Sequence, residues 1–414
     1  MSAAAPARTA WPLDRPRTDY VLGHVRAVLP DRVIDDAWVA VRDGRIAEVG
    51  SQPGGCVADV DGGGLYCLPG LVDVHSDGLE RERLPRPGAE LPWPFAMRSF
   101  EGKLWAAGVT TVFHGASFEQ GASPVSPRAI ASTRELCRQV EGRGSAPVDH
   151  RILHRLDVRC RDGLAALRER LAGFTGPALV SHEDHTPGQG QYADRTYYER
   201  YVSGTRGLTD AEARLHVDDM IARRDTMLDV RAEAFDFLSG RARTGAVRLF
   251  GHDPASPAEI AALAERGGVV AEFPTTVAAA RAARASAMPV VMGAPNALRG
   301  TSHAGNASAR ELVGRGLVTA LASDYLPSGL LAAAFLLASE ALVDLPAAVR
   351  LVTAGGAQAA GLDDRGMLAP GLRADLVLAE AGRPWPTVCA VMRAESPPAR
   401  RGASPLEPTP GPRS

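Results

Sequence analysis

Eight short runs of β-branched or apolar residues recur along the chain, each bounded by Gly or Pro and followed by a segment with helical spacing. They occupy residues 70–75, 109–114, 152–158, 178–181, 247–251, 269–272, 290–293 and 318–322. Alternation of strand and helix is typical of parallel βαβ units. Eight such units predict an α/β fold of the (β/α)8, TIM-barrel type, although a doubly wound parallel sheet shows the same alternation.

Nearly every run ends in a side chain that can bind a metal ion or transfer a proton. In chain order these side chains are His75 and Asp77, His114, His154 and Asp157, Glu183 and His185, His252 and Asp253, Glu272, Asn296, and Asp324. The carboxyl ends of the strands of a (β/α)8 barrel meet at one mouth, where active sites form. We therefore predict that these residues surround a common site.

The two flanking segments, residues 20–50 and 366–394, alternate apolar and polar residues and predict antiparallel strands. We expect them to pair into one small β domain built from both chain ends. The predicted boundaries are a disordered leader at 1–18, β-domain halves at 19–68 and 359–395, the barrel at 69–358, and a disordered tail at 396–414.

Composition excludes several classes of protein. A formal net charge of -2 shows no basic excess of the kind that nucleic-acid binding requires. No run of about 18 consecutive apolar residues predicts a transmembrane helix, so we expect no membrane partner. The 5 cysteines are widely spread and form no C-x-x-C pair, which argues against a disulfide framework. These features favour a cytoplasmic enzyme with a small-molecule substrate, and they are compatible with a homo-oligomer.

The segment His75-Ser76-Asp77 is the sharpest local motif. Residues two apart on an extended chain point to the same side, so both side chains can reach one cation. His252 and Asp324 follow the fifth and eighth runs and complete a set of nitrogen and oxygen ligands. Such ligands suit zinc, manganese or iron. We predict a divalent metal site of one or two ions, with Asp324 also accepting the proton of the attacking water.

A carboxylated lysine cannot bridge two metal ions in this chain. Lys103 is the only lysine, and it falls between the first and second runs. A bridge must then come from a carboxylate, with Glu183 and Asp184 beside His185 as the candidates, or only one metal ion binds. The alternative for this acidic cluster is a helix cap or a solvated loop.

Several segments resemble the amidohydrolase superfamily and, within it, the PhnM family of triphosphate diphosphohydrolases. The superfamily resemblance rests on LPGLVDVH at residues 68–75 and ADLV at 374–377. The PhnM resemblance rests on residues 75–80 with 86–87, 184–189, 271–276, 292–296, 299–300, 302–306 and 323–325. These segments extend from the first run to the eighth in the family's order.

The resemblance implies hydrolysis of α-D-ribose 1-methylphosphonate 5-triphosphate to the 5-phosphate and pyrophosphate. It places His75, Asp77, Asp184, His185, His252, Glu272, His303 and Asp324 at polar positions of the family. The chain departs from the family at Gly78, where Asn is usual, and at Arg161, where Glu is usual. We predict that Glu183 supplies the missing carboxylate as a metal ligand.

We predict the following roles for the site. The metal ligands are His75, Asp77, Glu183, His185, His252 and Asp324; the catalytic residues are Asp324 and His303; the substrate contacts are Arg299, Glu272, Asn296 and Asp184. Arg299 follows the seventh run in a Gly-rich loop, and guanidinium groups pair bidentately with phosphate oxygens. The alternatives are a C–N hydrolase of the same superfamily, such as a cyclic amidase or deaminase, and a non-catalytic barrel, which the retained metal ligands disfavour.

Overall fold

The computed structural model describes residues 18–394, except positions 56, 87, 120–128, 145, 175, 303–304 and 383–384. The predicted disordered tail and all but the last residue of the predicted leader lie outside the described residues, as does the predicted catalytic residue His303. No helix within the described part of the chain is long and apolar enough to cross a membrane.

The strands and helices follow one another in the predicted alternating order. The strands are β1 (Tyr20–Val28), β2 (Val33–Arg42), β3 (Arg45–Ser51), β4 (Val60–Asp61), β5 (Tyr66–Pro69), β6 (Leu71–Ser76), β7 (Val109–Phe118), β8 (Asp149–Asp157), β9 (Ala178–Glu183), β10 (Val247–His252), β11 (Gly268–Glu272), β12 (Val290–Gly293), β13 (Ala320–Ala322), β14 (Leu376–Glu380) and β15 (Thr387–Met392). The helices are α1 (Gly78–Arg83), α2 (Trp93–Ala106), α3 (Ile130–Glu141), α4 (Arg161–Ala172), α5 (Arg195–Arg206), α6 (Asp210–Asp225), α7 (Leu228–Arg243), α8 (Pro257–Glu265), α9 (Val277–Ala285), α10 (Ala294–Arg299), α11 (Ala309–Gly314), α12 (Gly329–Ser339), α13 (Leu345–Val352) and α14 (Ala354–Ala360), with a 3-10 turn at Gly190–Tyr192.

Strands β6 to β13 form one parallel sheet in chain order, and the sheet closes on itself. The closure is made by backbone hydrogen bonds at the first and last strands: Asp324 N donates to His75 O at 3.0 Å, and Asp77 N donates to Asp324 O. A doubly wound sheet would instead place the first strand in the middle of the sheet. The predicted (β/α)8 barrel is therefore confirmed.

Apolar side chains fill the barrel on both sides of the strands. Inside, Val74, Phe113, Leu153, Phe250 and Val291 form a cluster of buried residues. Outside, a larger cluster lies between the strands and the surrounding helices. Because both faces of a barrel strand are buried, apolar residues occur on both faces of strands such as β6 and β12.

A second sheet contains strands from both ends of the chain. Its order is β15-β14-β5-β1-β2-β3, with β4 paired to β1. The contact between the ends is the antiparallel pairing of β14 with β5, in which Leu376 lies opposite Pro69. Leu22, Val39 and Ile46 from the N-terminal half share a buried cluster with Leu376 from the C-terminal half. The β domain built from both chain ends is thus confirmed as part of the fold.

The helices α5 and α6 are an insertion between β9 and β10 that the sequence analysis did not predict. They contain a small apolar cluster of their own, formed by Val202, Ala213 and Val217. The start of α6 is stabilised by a capping box between Thr209 and Glu212. Because the insertion leaves from the carboxyl end of β9, it lies beside the mouth of the barrel.

Candidate metal centre

The predicted metal ligands lie together at the carboxyl ends of the barrel strands. His75 is on β6, Glu183 and His252 end β9 and β10, and Asp324 follows β13. Among the residues that the structure describes, three groups offer ligand atoms within 4.8 Å of one another: His75, Asp77 and Asp324; Glu183, His185 and His252; and His75, His252 and Glu272. The fold thus brings all six predicted ligands into one neighbourhood, and it adds Glu272.

Glu272 connects the two central histidines. Its carboxylate oxygens lie 2.8 Å from His75 Nδ1 and 2.7 Å from His252 Nδ1, and Ser181 Oγ donates to it at 2.6 Å. A carboxylate accepts hydrogen bonds, so each histidine carries a proton on Nδ1, which leaves Nε2 as the nitrogen that can bind a metal ion. Histidines that bind metal ions are oriented by carboxylates in this way.

The environment of His75 Nε2 shows whether a cation fits this site. His75 Nε2 is buried and makes no hydrogen bond to the described residues; the nearest carboxylate oxygen, Asp77 Oδ1, is 3.6 Å away. A buried ring nitrogen without a hydrogen-bond partner is costly unless a ligand satisfies it. Together with the carboxylates of Asp77 and Asp324, this atom fits a divalent metal ion.

The charges of the cluster shift the pKa values of its members. Burial lowers the pKa of His75, but the negative charges of Glu272 and Asp77 outweigh burial and raise it to about 10. Burial opposes ionisation of Glu272, yet His75 and His252 hold the pKa of its carboxyl well below the usual range. The pKa of Asp324 is raised, because its carboxyl is buried and lies near the charge of Asp77. The site therefore has a negative potential that favours a bound cation.

Three residues that follow barrel strands have left-handed backbone conformations. Asp253, Phe273 and Asp324 have φ angles of 52°, 53° and 58°. Such angles are uncommon for residues other than glycine and concentrate at functional sites. The turn at Phe273 places its ring centroid 4.9 Å from that of His75 and 5.4 Å from that of His252. The apolar ring of Phe273 therefore packs against both histidines.

Arg155 is a functional candidate that the sequence analysis missed. It lies on β8 and points into the barrel, where Nη1 donates to both oxygens of Asp77 at 2.7 and 2.9 Å. Its Nη2 donates to Glu183 Oε2 at 2.8 Å. The sequence of β8 could have revealed this orientation. Side chains alternate between the two faces of a strand, and Leu153 points into the barrel, so Arg155 two positions later points into it as well.

Three predicted substrate contacts are engaged by other protein groups. Glu272 is fully buried beneath the histidines. The Asn296 side chain links two backbone groups, donating to Ala307 O at 3.1 Å and accepting from Ala309 N at 2.9 Å. Asp184 accepts from Arg159 at 2.8 Å and lies 3.3 Å from Arg224 on the inserted helix α6. Their geometry favours positioning roles, because their polar atoms already have protein partners.

Arg299 is exposed at the mouth and remains a predicted substrate contact. Its Nη1 donates to the hydroxyl of Tyr325 at 3.1 Å, and Tyr325 directly follows Asp324. Arg81 stacks on the same ring, with its Cζ 4.3 Å from the ring centroid. By contrast, Arg83 stacks on Trp93 at 4.6 Å, away from this tyrosine.

The two departures from the family have structural explanations. A Cβ at Gly78 would lie 2.4 Å from the ring of Phe100, so this position needs glycine here. Arg161 and Asp162 are in the first turn of α4 and are exposed. In contrast, Glu183 is 1% exposed and belongs to a candidate ligand group. Glu183, and not the exposed residues that follow Cys160, therefore lies with His185 and His252.

His114 and His154, which lie in two of the predicted runs, face away from the mouth of the barrel. His114 lies 2.8 Å from His150, which in turn contacts Glu101 at 3.1 Å. His154 Nδ1 donates to the backbone oxygen of Leu179 at 2.9 Å. The strand β7 extends to Phe118, so His114 is in its middle and not at its end. Both histidines are part of the packing outside the barrel.

Comparison with known proteins assigns the family. The sequence matches the amidohydrolase family over residues 96–394. The chain belongs to the amidohydrolase family. It is 36% identical over 364 residues to the α-D-ribose 1-methylphosphonate 5-triphosphate diphosphatase of Escherichia coli (strain K12), which covers 87% of this chain and 94% of that protein. The predicted resemblance to the PhnM family is therefore confirmed.

Solved amidohydrolase structures share the whole architecture at low sequence identity. An N-acetyl-D-glucosamine-6-phosphate deacetylase variant from Mycobacterium smegmatis has a TM-score of 0.58 and 16% identity, with 92% of this chain and 99% of that chain covered. The guanine deaminase of C. acetobutylicum has a TM-score of 0.54 and 13% identity, with 87% and 91% covered. At these identities the likeness concerns the fold alone.

Proposed function

We propose that this amidohydrolase hydrolyses α-D-ribose 1-methylphosphonate 5-triphosphate to the corresponding 5-phosphate and pyrophosphate, using a bound divalent metal ion. The observation that carries the proposal is the 36% identity to the E. coli diphosphatase over 94% of that protein's length. The metal-suited cluster around His75 and His252 supports it, because hydrolysis at phosphorus needs both an activated water and positive charge near the phosphates.

The ion would be held by ligands from the predicted set of His75, Asp77, Glu183, His185, His252 and Asp324. A divalent ion, whether zinc, manganese or iron, supplies positive charge that acidifies water and offsets the charge of the phosphates. The carboxylate of Asp324 accepts the proton of the attacking water. Water adds to the phosphorus nearest the ribose, the bond to the bridging oxygen breaks, and pyrophosphate leaves.

The phosphate chain is bound by the arginines around Tyr325. Arg81 stacks on the tyrosine ring and Arg299 donates to its hydroxyl, so both guanidinium groups are held beside Asp324. A cavity of about 570 Å³ is lined by Arg81, Lys103 and Tyr325 among others. Guanidinium groups stay charged and pair with phosphate oxygens. His303 remains a predicted catalytic residue, to be tested beside Asp324.

The test is pyrophosphate release by purified protein loaded with Mn²⁺ or Zn²⁺. The substrates are a ribosyl 5-triphosphate carrying a 1-methylphosphonate and, for comparison, a nucleoside triphosphate. We expect pyrophosphate and the 5-phosphate in equal amounts, and loss of turnover in Asp324→Asn protein that still binds metal. Absence of pyrophosphate release, together with hydrolysis of cyclic amides or deamination of a base, would instead establish a C–N hydrolase.

A further inference from the structure

The guanidinium of Arg155 joins acidic residues from two different barrel strands. Asp77 follows β6 and Glu183 ends β9, and Arg155 on β8 contacts both carboxylates at 2.7 to 2.9 Å. Its Nε lies 3.2 Å from the same Glu183 oxygen that Nη2 contacts. The three side chains are 4%, 12% and 1% exposed for Arg155, Asp77 and Glu183, so water screens these ion pairs little.

A glycine on the neighbouring strand leaves space for Arg155 and Asp77. Gly115 on the neighbouring strand β7 lies against the pair, where a Cβ would approach Asp77 Oδ1 to 2.4 Å and Arg155 Cδ to 3.1 Å. Any larger residue at this position would displace the carboxylate or the arginine. The absence of a side chain at position 115 therefore allows this ion pair inside the barrel.

A carboxylate that bridges two metal ions presents one oxygen to each ion. Glu183 forms a candidate ligand group with His185 and His252. Its Oε2, however, accepts two hydrogen bonds from Arg155. The guanidinium thus occupies the position at Glu183 that a second metal ion takes at a bridging carboxylate.

We propose that Arg155 is the second cation of this site, so that each chain binds one divalent ion and Glu183 does not bridge two. The inference rests on the proposed metal-dependent function. Arginine stays charged at every relevant pH. Displacing it by a second ion would leave a buried guanidinium without its partners, which is strongly unfavourable.

The test is the metal content of protein that was stripped with a chelator, reloaded with excess Mn²⁺ and freed of unbound ion. We expect close to one ion per wild-type chain and close to two in Arg155→Met, where Asp77 and Glu183 lose their cation. Arg155→Lys keeps the charge and should bind one ion. Arg365→Met is the matched control, because Arg365 is equally buried at 5% but pairs with Asp149 at the opposite end of the barrel. It should also bind one ion.

Electron paramagnetic resonance of bound Mn²⁺ gives a second readout. Wild type should show an isolated ion, and Arg155→Met an exchange-coupled pair. A coupled pair or two ions in the wild type would overturn the inference, as would a single ion in folded Arg155→Met. If Arg155→Met does not fold, the wild-type spectrum decides. One ion without pyrophosphate release would reject the proposed function and leave this inference standing.

Discussion

Replacing Glu272 by Gln tests whether this carboxylate prepares the two histidines for metal binding. Glu272 accepts a hydrogen bond from Nδ1 of His75 at 2.8 Å and from Nδ1 of His252 at 2.7 Å, one on each oxygen. Gln has one acceptor oxygen, so its amide NH₂ must face one of the two histidines. That histidine then accepts at Nδ1 and carries its proton on Nε2, which removes the lone pair that a metal needs.

Loss of an outer carboxylate partner typically weakens metal affinity about 10–100-fold, or about 1.4–2.7 kcal/mol. We expect the upper part of this range, because Glu272→Gln changes a partner of two ligands and also removes a negative charge. The assay is titration of metal-free protein with Zn²⁺ against a chelator of known affinity.

The matched control is Glu101→Gln, since Glu101 is also buried and contacts a histidine, His150 at 3.1 Å, away from the site. It should change thermal stability but not metal affinity. Unchanged Zn²⁺ affinity in folded Glu272→Gln would refute the proposed role of Glu272. A similar loss in Glu101→Gln would show that the effect is not specific to the site.

Three further predictions concern catalysis and pH. Asp324→Asn should lower kcat on the order of 10²-fold with little change in KM, as loss of a positioned general base does; near-normal turnover with metal bound would exclude Asp324 as the base. Arg299→Ala should raise KM for the triphosphate with a smaller effect on kcat. The control is Arg168→Ala on α4, an exposed position where neither constant should change. Equal changes of KM in the two variants would argue against a phosphate contact at Arg299. Burial lowers the pKa of His154 to about 4, so between pH 6.5 and 4 the unfolded chain takes up a proton that the folded chain does not. Wild type should therefore lose up to about 1.4 kcal/mol of unfolding free energy per pH unit more than His154→Gln over this window, measured by urea denaturation, and parallel pH profiles would contradict this.

The barrel could be predicted from local sequence because each strand is marked by its own residues. The predicted run 290–293 coincides with β12, and the run 247–251 is one residue shorter than β10. Where pairing with a neighbour extends a strand, prediction failed: β7 continues to Phe118 because it stays paired with β8 as far as Leu156. That pairing is a property of two distant segments and has no local signal.

For the site, the sequence alone determined which residue types follow the barrel strands, and the barrel geometry then made their convergence predictable. His75, Asp77, His252 and Asp324 were found in this way. Only the tertiary structure decided which polar atoms face one another. It directed Glu272 toward the Nδ1 atoms of two histidines and Arg155 toward Asp77 and Glu183, residues 78 and 28 positions away. Side-chain partners depend on rotamers and on distances of a few ångströms across the barrel, and neither quantity is encoded in the spacing of residues along the chain.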